Sequence, residues 1–206
     1  ANLAYQRYLG WAAARQQQVR YLVYFDDDLR LLEDSILETL ISKMTRNGLA
    51  GLTAETLTGS PERFSDYEML REQREAKMDF FAQLGMKWGS GGKLAPGALS
   101  PAGSRIQLCP DDQADADTAW LYGRVMVYDF RYLTKECFSE DLFALTHIRC
   151  GLGEDTFLSH RVASKGRLQL LRGLNILHPD EDLPNSYPIR AYSFGYASAY
   201  SRRLLN

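Results

Sequence analysis

The segment Tyr21-Leu22-Val23-Tyr24-Phe25, followed at once by Asp26-Asp27-Asp28, constrains this chain more than any other. Five consecutive apolar, β-forming residues read as a strand buried on both faces, the kind found in layered α/β folds. Three adjacent carboxylates at its end repel one another, so they persist where a cation or a metal-bound phosphate offsets their charge. A solvated strand-to-loop turn is the competing reading, because acidic residues also gather in turns. A second acidic pair, Glu154-Asp155, follows Gly151-Leu152-Gly153 and opens TFLSHRVASKG. Carboxylates in a first helical turn face the positive end of the helix dipole, so a plain helix start competes there with a catalytic base. Read together, one cluster suggests a metal site and the other a base, acting on a metal-bound, phosphate-containing substrate.

The rest of the chain alternates helical and strand patterns. Residues 1–14 read as a helix with Leu3, Tyr5, Leu9 and Ala12-Ala13 as its apolar positions. The strand reading covers 19–25. Asp34 is the expected N-cap of a helix carrying Ile36, Leu37, Leu40, Ile41 and Met44, stopped by Gly48. Strand patterns follow at 49–57, 105–109 and 120–128, the last interrupted by Gly123, with further short strands at 167–171 and 174–177. Helical patterns cover 65–85, 132–138, 154–165 (closed by Gly166) and 191–205. Residues 88–103, dense in Gly, Pro, Ser and Ala, read as a flexible loop within a single domain spanning 1–206. Strands alternating with helices predict an α/β layer fold.

Composition excludes several classes. With 206 residues, 45% hydrophobic and 24% charged, the chain has the make-up of an ordinary globular domain. A net charge of -2 supplies no bulk basic surface, so no nucleic-acid partner is expected. No apolar run approaches the ~20 residues of a membrane span, and no signal-peptide pattern opens the chain. Cys109, Cys137 and Cys150 lack CxxC spacing and read as reduced thiols, which makes the cytoplasm the expected location.

In order, the chain carries Arg7-Tyr8-Leu9-Gly10, YLVYFDDDL, Trp120-Leu121-Tyr122-Gly123, GLGEDTFLSHRVASKG and a strand ending at His178. This succession resembles the inverting nucleotide-sugar glycosyltransferases of the GT-A fold, family two. Arg161 stands seven residues after Glu154, in that family's register. The resemblance covers nearly the whole chain apart from residues 61–110. It implies a GT-A-like (nucleotide-diphospho-sugar transferase) fold, with a mixed, mostly parallel sheet flanked by helices and Asp26–Asp28 at the carboxyl end of a central strand. Because the chain opens where the family's first third has usually ended, the expectation is that the N-terminal β-α-β unit holding the nucleotide base is missing from this sequence.

The resemblance also assigns roles. Asp28 and Asp26 are expected to hold Mn2+ or Mg2+ with His178, and Arg7, Asp26 and Asp27 to meet the donor, a UDP-sugar by family precedent. Asp155 is the expected general base, taking the proton of an acceptor hydroxyl as that oxygen attacks the anomeric carbon. Trp120, Gly123 and Glu154 are expected on the acceptor side, Trp120 by stacking and Gly123 by close backbone approach. For His178 a purely structural role stays open, as does a core role for Trp120. His147 and His160 match no motif position and are expected to face solvent. The acceptor is a glycan or lipid-linked hydroxyl, and the tail RAYSFGYASAYSRRLLN, rich in Tyr and Arg, could lie on an anionic membrane surface or pack on the domain itself. Two rivals share parts of the pattern: a Mg2+-dependent phosphatase of the haloacid dehalogenase type, and a non-catalytic carbohydrate-binding relative. Arg30 stands where the phosphatase motif expects Thr or Val, and that motif gives Glu154-Asp155 no role.

Overall fold

The computed structural model describes residues 3–59, 97–98, 115–138, 142–143 and 153–179. Helix α1 (Leu3–Gln16) buries Ala4, Arg7 and Trp11, a stripe at three- and four-residue spacing. That spacing carries one charged side chain, Arg7, onto the inner face. Trp11 anchors the helix: its Nε1 donates to the Leu133 carbonyl at 2.6 Å, and its ring stacks on Phe130.

Strand β1 (Tyr21–Phe25) ends at the acidic triplet, as expected, and a two-residue β2 (Arg30–Leu31) follows. Helix α2 (Ile36–Asn47) stops at Gly48, whose φ of 59° is the left-handed conformation that glycine adopts without strain. Its N-cap is Ser35 and not Asp34, with helical backbone and no side-chain capping bond. The strand expected over 49–57 is two strands, β3 (Gly51–Ala54) and β4 (Leu57–Gly59), which join different sheets. Strand β5 (Ala116–Thr118) lies where no strand was expected, and β6 (Val125–Asp129) begins after Gly123. The helix expected over 132–138 is a single 3-10 turn, Lys135–Cys137. Helix α3 (Glu154–Ala163), β7 (Leu168–Leu171) and β8 (Ile176–Pro179) lie close to their expected places.

Five strands form a sheet in the order β1-β6-β3-β7-β5, and β2-β8-β4 form a second. Helices and a mixed sheet make the fold α/β. The expected predominance of parallel pairing does not hold among the described residues. Only β3 with β7 and β4 with β8 run parallel, whereas β1–β6, β3–β6, β5–β7 and β2–β8 are antiparallel. Nor is β1 central; it is an edge strand among the described residues. The misreading has a physical cause. An unbroken apolar run suggests burial on both faces, which parallel sheets usually show, but β1 is only half-buried, with Phe25 exposed, in an antiparallel pair with β6.

Alternation along β6 sorts that burial. Val125 and Val127 pack with Ile36, Leu40 and Met44 of α2, while Met126 and Tyr128 pack with Trp11 of α1 and Phe157, Leu158 and Val162 of α3. The sheet is therefore a middle layer, with α2 on one face and α1 and α3 on the other. Among the described residues no helix is long and apolar enough to cross a membrane. The readings at 65–85, 105–109 and 191–205, the 88–103 loop apart from Gly97 and Ala98, and His147, Cys109 and Cys150 fall outside the described residues.

His160 is not solvent-facing as expected. It is half-buried on α3, its Nδ1 is buried without a partner among the described residues, and burial holds its pKa below the ordinary value. The unfolded chain takes up a proton near pH ~6.5, before the folded imidazole does. Its contribution is therefore fully present above about pH 6.5 and is lost as pH falls through the lower folded value. The His160→Gln variant should show a urea midpoint less sensitive to acidification below about pH 6.5 than the wild type. Gly166, just past α3, marks a second sensitive point: a Cβ there would stand 2.7 Å from the Ala50 Cβ and 3.2 Å from the Tyr132 ring. Gly166→Ala should lower unfolding stability by about 1–3 kcal/mol through overpacking, as read from urea denaturation.

Candidate functional site

The acidic triplet is the link between the two sheets. Asp26 leaves the end of β1, and its N–H donates to the Arg124 carbonyl at 3.0 Å. Four residues later the chain enters β2, which pairs with β8 in the register Arg30↔Leu177. That pairing sets Asp28 beside His178, with Oδ2 and Nε2 at 3.2 Å. One ligand atom each from Asp26, Asp28 and His178 falls within 4.8 Å of the others. Asp27 points elsewhere: it is exposed and does not belong to this group. Burial raises the pKa of Asp26 above the ordinary aspartate value and Asp28 adds to the rise, while Arg7, His178 and Arg124 oppose it.

This group fits a divalent cation on its own chemistry. Two carboxylates and an imidazole form an oxygen-and-nitrogen donor set suited to Mn2+ and to similar first-row ions, and less so to Mg2+, which prefers oxygen alone. Neighbouring ligands on a sphere of about 2.1 Å radius stand roughly 3 Å apart, which the Asp28–His178 spacing meets. Asp28 Oδ1 and His178 Nδ1 are buried with no hydrogen-bond partner among the described residues. Such atoms are costly unless a ligand or second partner engages them.

The second acidic cluster sits one dipeptide away. Helix α3 begins after Gly153, whose φ of 100° lies in the left-handed region and excludes most side chains. Asp155 accepts the Gly123 N–H on Oδ2 at 2.9 Å and the Thr156 N–H on Oδ1 at 2.7 Å. One turn later, Ser159 accepts the Leu121 N–H at 3.1 Å while donating to the Asp155 carbonyl at 2.7 Å. From β3, the buried Thr53 hydroxyl donates to the Val125 carbonyl at 2.6 Å and accepts the Tyr122 N–H at 3.2 Å. Segment 121–125 is thus pinned from both sides. Gly123 supports Asp155 and Arg124 supports Asp26, so the expected base and the metal-type group meet on adjacent residues.

Gly123 is required here for close approach. A Cβ at that position would stand 2.9 Å from Asp155 Oδ2 and 3.3 Å from Arg7 Nη2. Arg7 itself is ion-paired through Nη1 to Glu154 Oε1 at 2.8 Å, with the two side chains only 9% and 6% exposed. Its Nη2 donates to the Gly123 carbonyl at 3.5 Å. Arg7 is thus turned inward, with Glu154 as its buried partner.

Of the two roles left open for Trp120, its packing is that of a core residue: it is 1% exposed, and its ring meets Tyr122 edge-on at 4.7 Å between centroids. Tyr122 is the partly exposed aromatic of the pair. Arg161 lies over the Phe157 ring at 4.4 Å and donates to the Glu136 carbonyl at 2.8 Å, a local clamp. Sequence reasoning missed Thr53, Tyr122, Arg124 and Ser159. Only Ser159 carried a readable signal, standing four residues after Asp155 and so on the same helix face.

The chain matches no family model, no curated protein and no solved structure. The cluster geometry nonetheless makes a direct prediction. Titration of the protein with Mn2+, followed by the loss of free-ion EPR signal, should show one site. Asp28→Asn and His178→Gln should each weaken it at least about tenfold, with Asp27→Asn unchanged. Affinity should fall as pH is lowered, because binding a cation to carboxylate and imidazole ligands releases protons.

Proposed function

We propose that this chain is a metal-dependent glycosyltransferase that moves a sugar from a nucleoside-diphosphate donor to a hydroxyl acceptor with inversion. The observation that carries the reading is that Asp26, which groups with Asp28 and His178, bonds Arg124 through its backbone N–H while Asp155 holds the adjacent Gly123. A divalent cation bound by the three ligands would stabilise the negative charge that develops on a departing diphosphate. The resemblance of the motifs to family-two enzymes of the GT-A fold adds to this reading, and a UDP-sugar is the donor it favours.

Within it, the chain's own residues do the following. Asp155 takes the proton of the acceptor hydroxyl. The acceptor oxygen forms its bond to the anomeric carbon as the bond from that carbon to the diphosphate oxygen breaks, and the electron pair leaves with the nucleoside diphosphate. Two backbone amides reach the Asp155 carboxylate, one on each oxygen. They also fix the direction of its remaining lone pairs. Tyr122, partly exposed beside Gly123, takes the platform role first expected of Trp120, with the Trp120 edge supporting its ring.

A second reading rests on those same two amides. Asp155 could serve only to hold segment 121–125, in a non-catalytic carbohydrate-binding relative. The variant Asp155→Asn separates the two. As a transferase, the wild type should release nucleoside diphosphate from one member of a UDP-, GDP- and dTDP-sugar panel when Mn2+ and a glycan or lipid-linked acceptor are present. Asp155→Asn should reduce that turnover at least about 100-fold, within the usual contribution of a general base, and leave Mn2+ affinity unchanged. Sugar binding without turnover in both proteins would favour the second reading.

A further inference from the structure

Resting on that reading, we infer that Arg7 is the positioning residue of the site: it holds Asp155 in place through Glu154 and Gly123 and does not contact the donor. The peptide unit of Gly123 is gripped at both ends, its N–H by Asp155 and its carbonyl by Arg7. The same guanidinium pairs with Glu154, the residue directly before Asp155 on α3. Arg7 therefore touches the neighbour of the base along the helix and also the peptide that the base grips. Its own place is fixed from a third element, since Tyr24 of β1 donates to the Arg7 carbonyl at 2.7 Å. The inward face of α1, with Ala4 and Trp11 on either side, leaves the side chain no easy route to solvent.

Charge makes the arrangement brittle in a defined way. Arg7 and Glu154 are both buried, so removing the cation takes this ion pair from a buried carboxylate beside Asp155. Removing both charges together leaves neither stranded. Lysine retains a positive charge but cannot reach Glu154 and the Gly123 carbonyl with the same planar fork. A donor-contacting arginine behaves otherwise, because its loss weakens donor binding whatever stands at position 154.

The experiment uses the full chain with Mn2+ and compares Arg7→Met, Arg7→Lys, Glu154→Gln and the double variant Arg7→Met/Glu154→Gln. Expected is a fall in kcat of at least about tenfold for Arg7→Met, with donor KM within about twofold of the wild type. Arg7→Lys should fall in between, and the double variant should recover at least about fivefold over Arg7→Met. A raised donor KM with kcat preserved would overturn the inference and return Arg7 to the donor. Equal loss in the single and double variants would also overturn it. A second readout does not depend on turnover. The Gly123 amide resonance, shifted by its bond to Asp155, should move in Arg7→Met and return toward the wild-type position in the double variant. If the wild type transfers no sugar but this amide pattern appears, the positioning role stands and the transferase reading falls. If Gly123 is unmoved in a folded Arg7→Met protein, the positioning role falls.

Discussion

The backbone of residues 121 to 124 is where the structure is most tightly bound, and the other parts of the site take their positions from it. Ser159 and Asp155 hold it from α3, Thr53 holds it from β3, and Arg7 holds it from α1. A loop crossing the end of a sheet would ordinarily give its polar groups to water. This one gives them to side chains anchored in three separate elements. Asp26 then takes the Arg124 carbonyl, so the acidic triplet inherits the same fixed frame. Preorganisation of this kind is what a reaction needs when charge must develop at one defined point.

The ion pair beneath that loop costs energy as well as supplying order. Taking Arg7 and Glu154 out of water is expensive, and a well-packed apolar pair could serve stability equally well. What an apolar pair cannot do is hold the Gly123 carbonyl and a carboxylate at once. The burial of charge is therefore better understood through the geometry it imposes than through any gain in stability.

Much of this was legible in the sequence, and the rest was hidden for physical reasons. The strand leading to Asp26, the helix opening at Glu154 and the strand carrying His178 each announce themselves through local pattern, and the side chains of Asp26, Asp28 and His178 lie together in the structure. Strand direction is different, because an apolar run such as VMVYD states that it is buried but not beside what. Hence the antiparallel majority went unread. The difference between Trp120 and Tyr122 has a similar cause: both are aromatic, and only packing decides that Trp120 is covered and Tyr122 partly exposed. Arg7 stands out in the sequence only through the motif Arg7-Tyr8-Leu9-Gly10, and a helix stripe that buries an arginine beside Ala4 and Trp11 cannot be told from sequence without its partner on α3.

The division of the strands between two sheets gives the metal-type cluster a second meaning. Asp26 belongs to the end of the five-stranded sheet, whereas Asp28 introduces β2 and His178 lies in β8, both in the three-stranded one. The three-stranded sheet has short strands, and β2 contributes just two residues to it. A cation joining all three side chains would act as a rivet across the seam, tying a small, weakly cooperative unit to a large one. Occupancy would then be felt as local rigidity: amide protons of β2 and β8 would exchange more slowly when the ion is bound, while those of β3 and β6 would hardly notice. In such a molecule the tightness of one sheet becomes a gauge of the ion concentration around it.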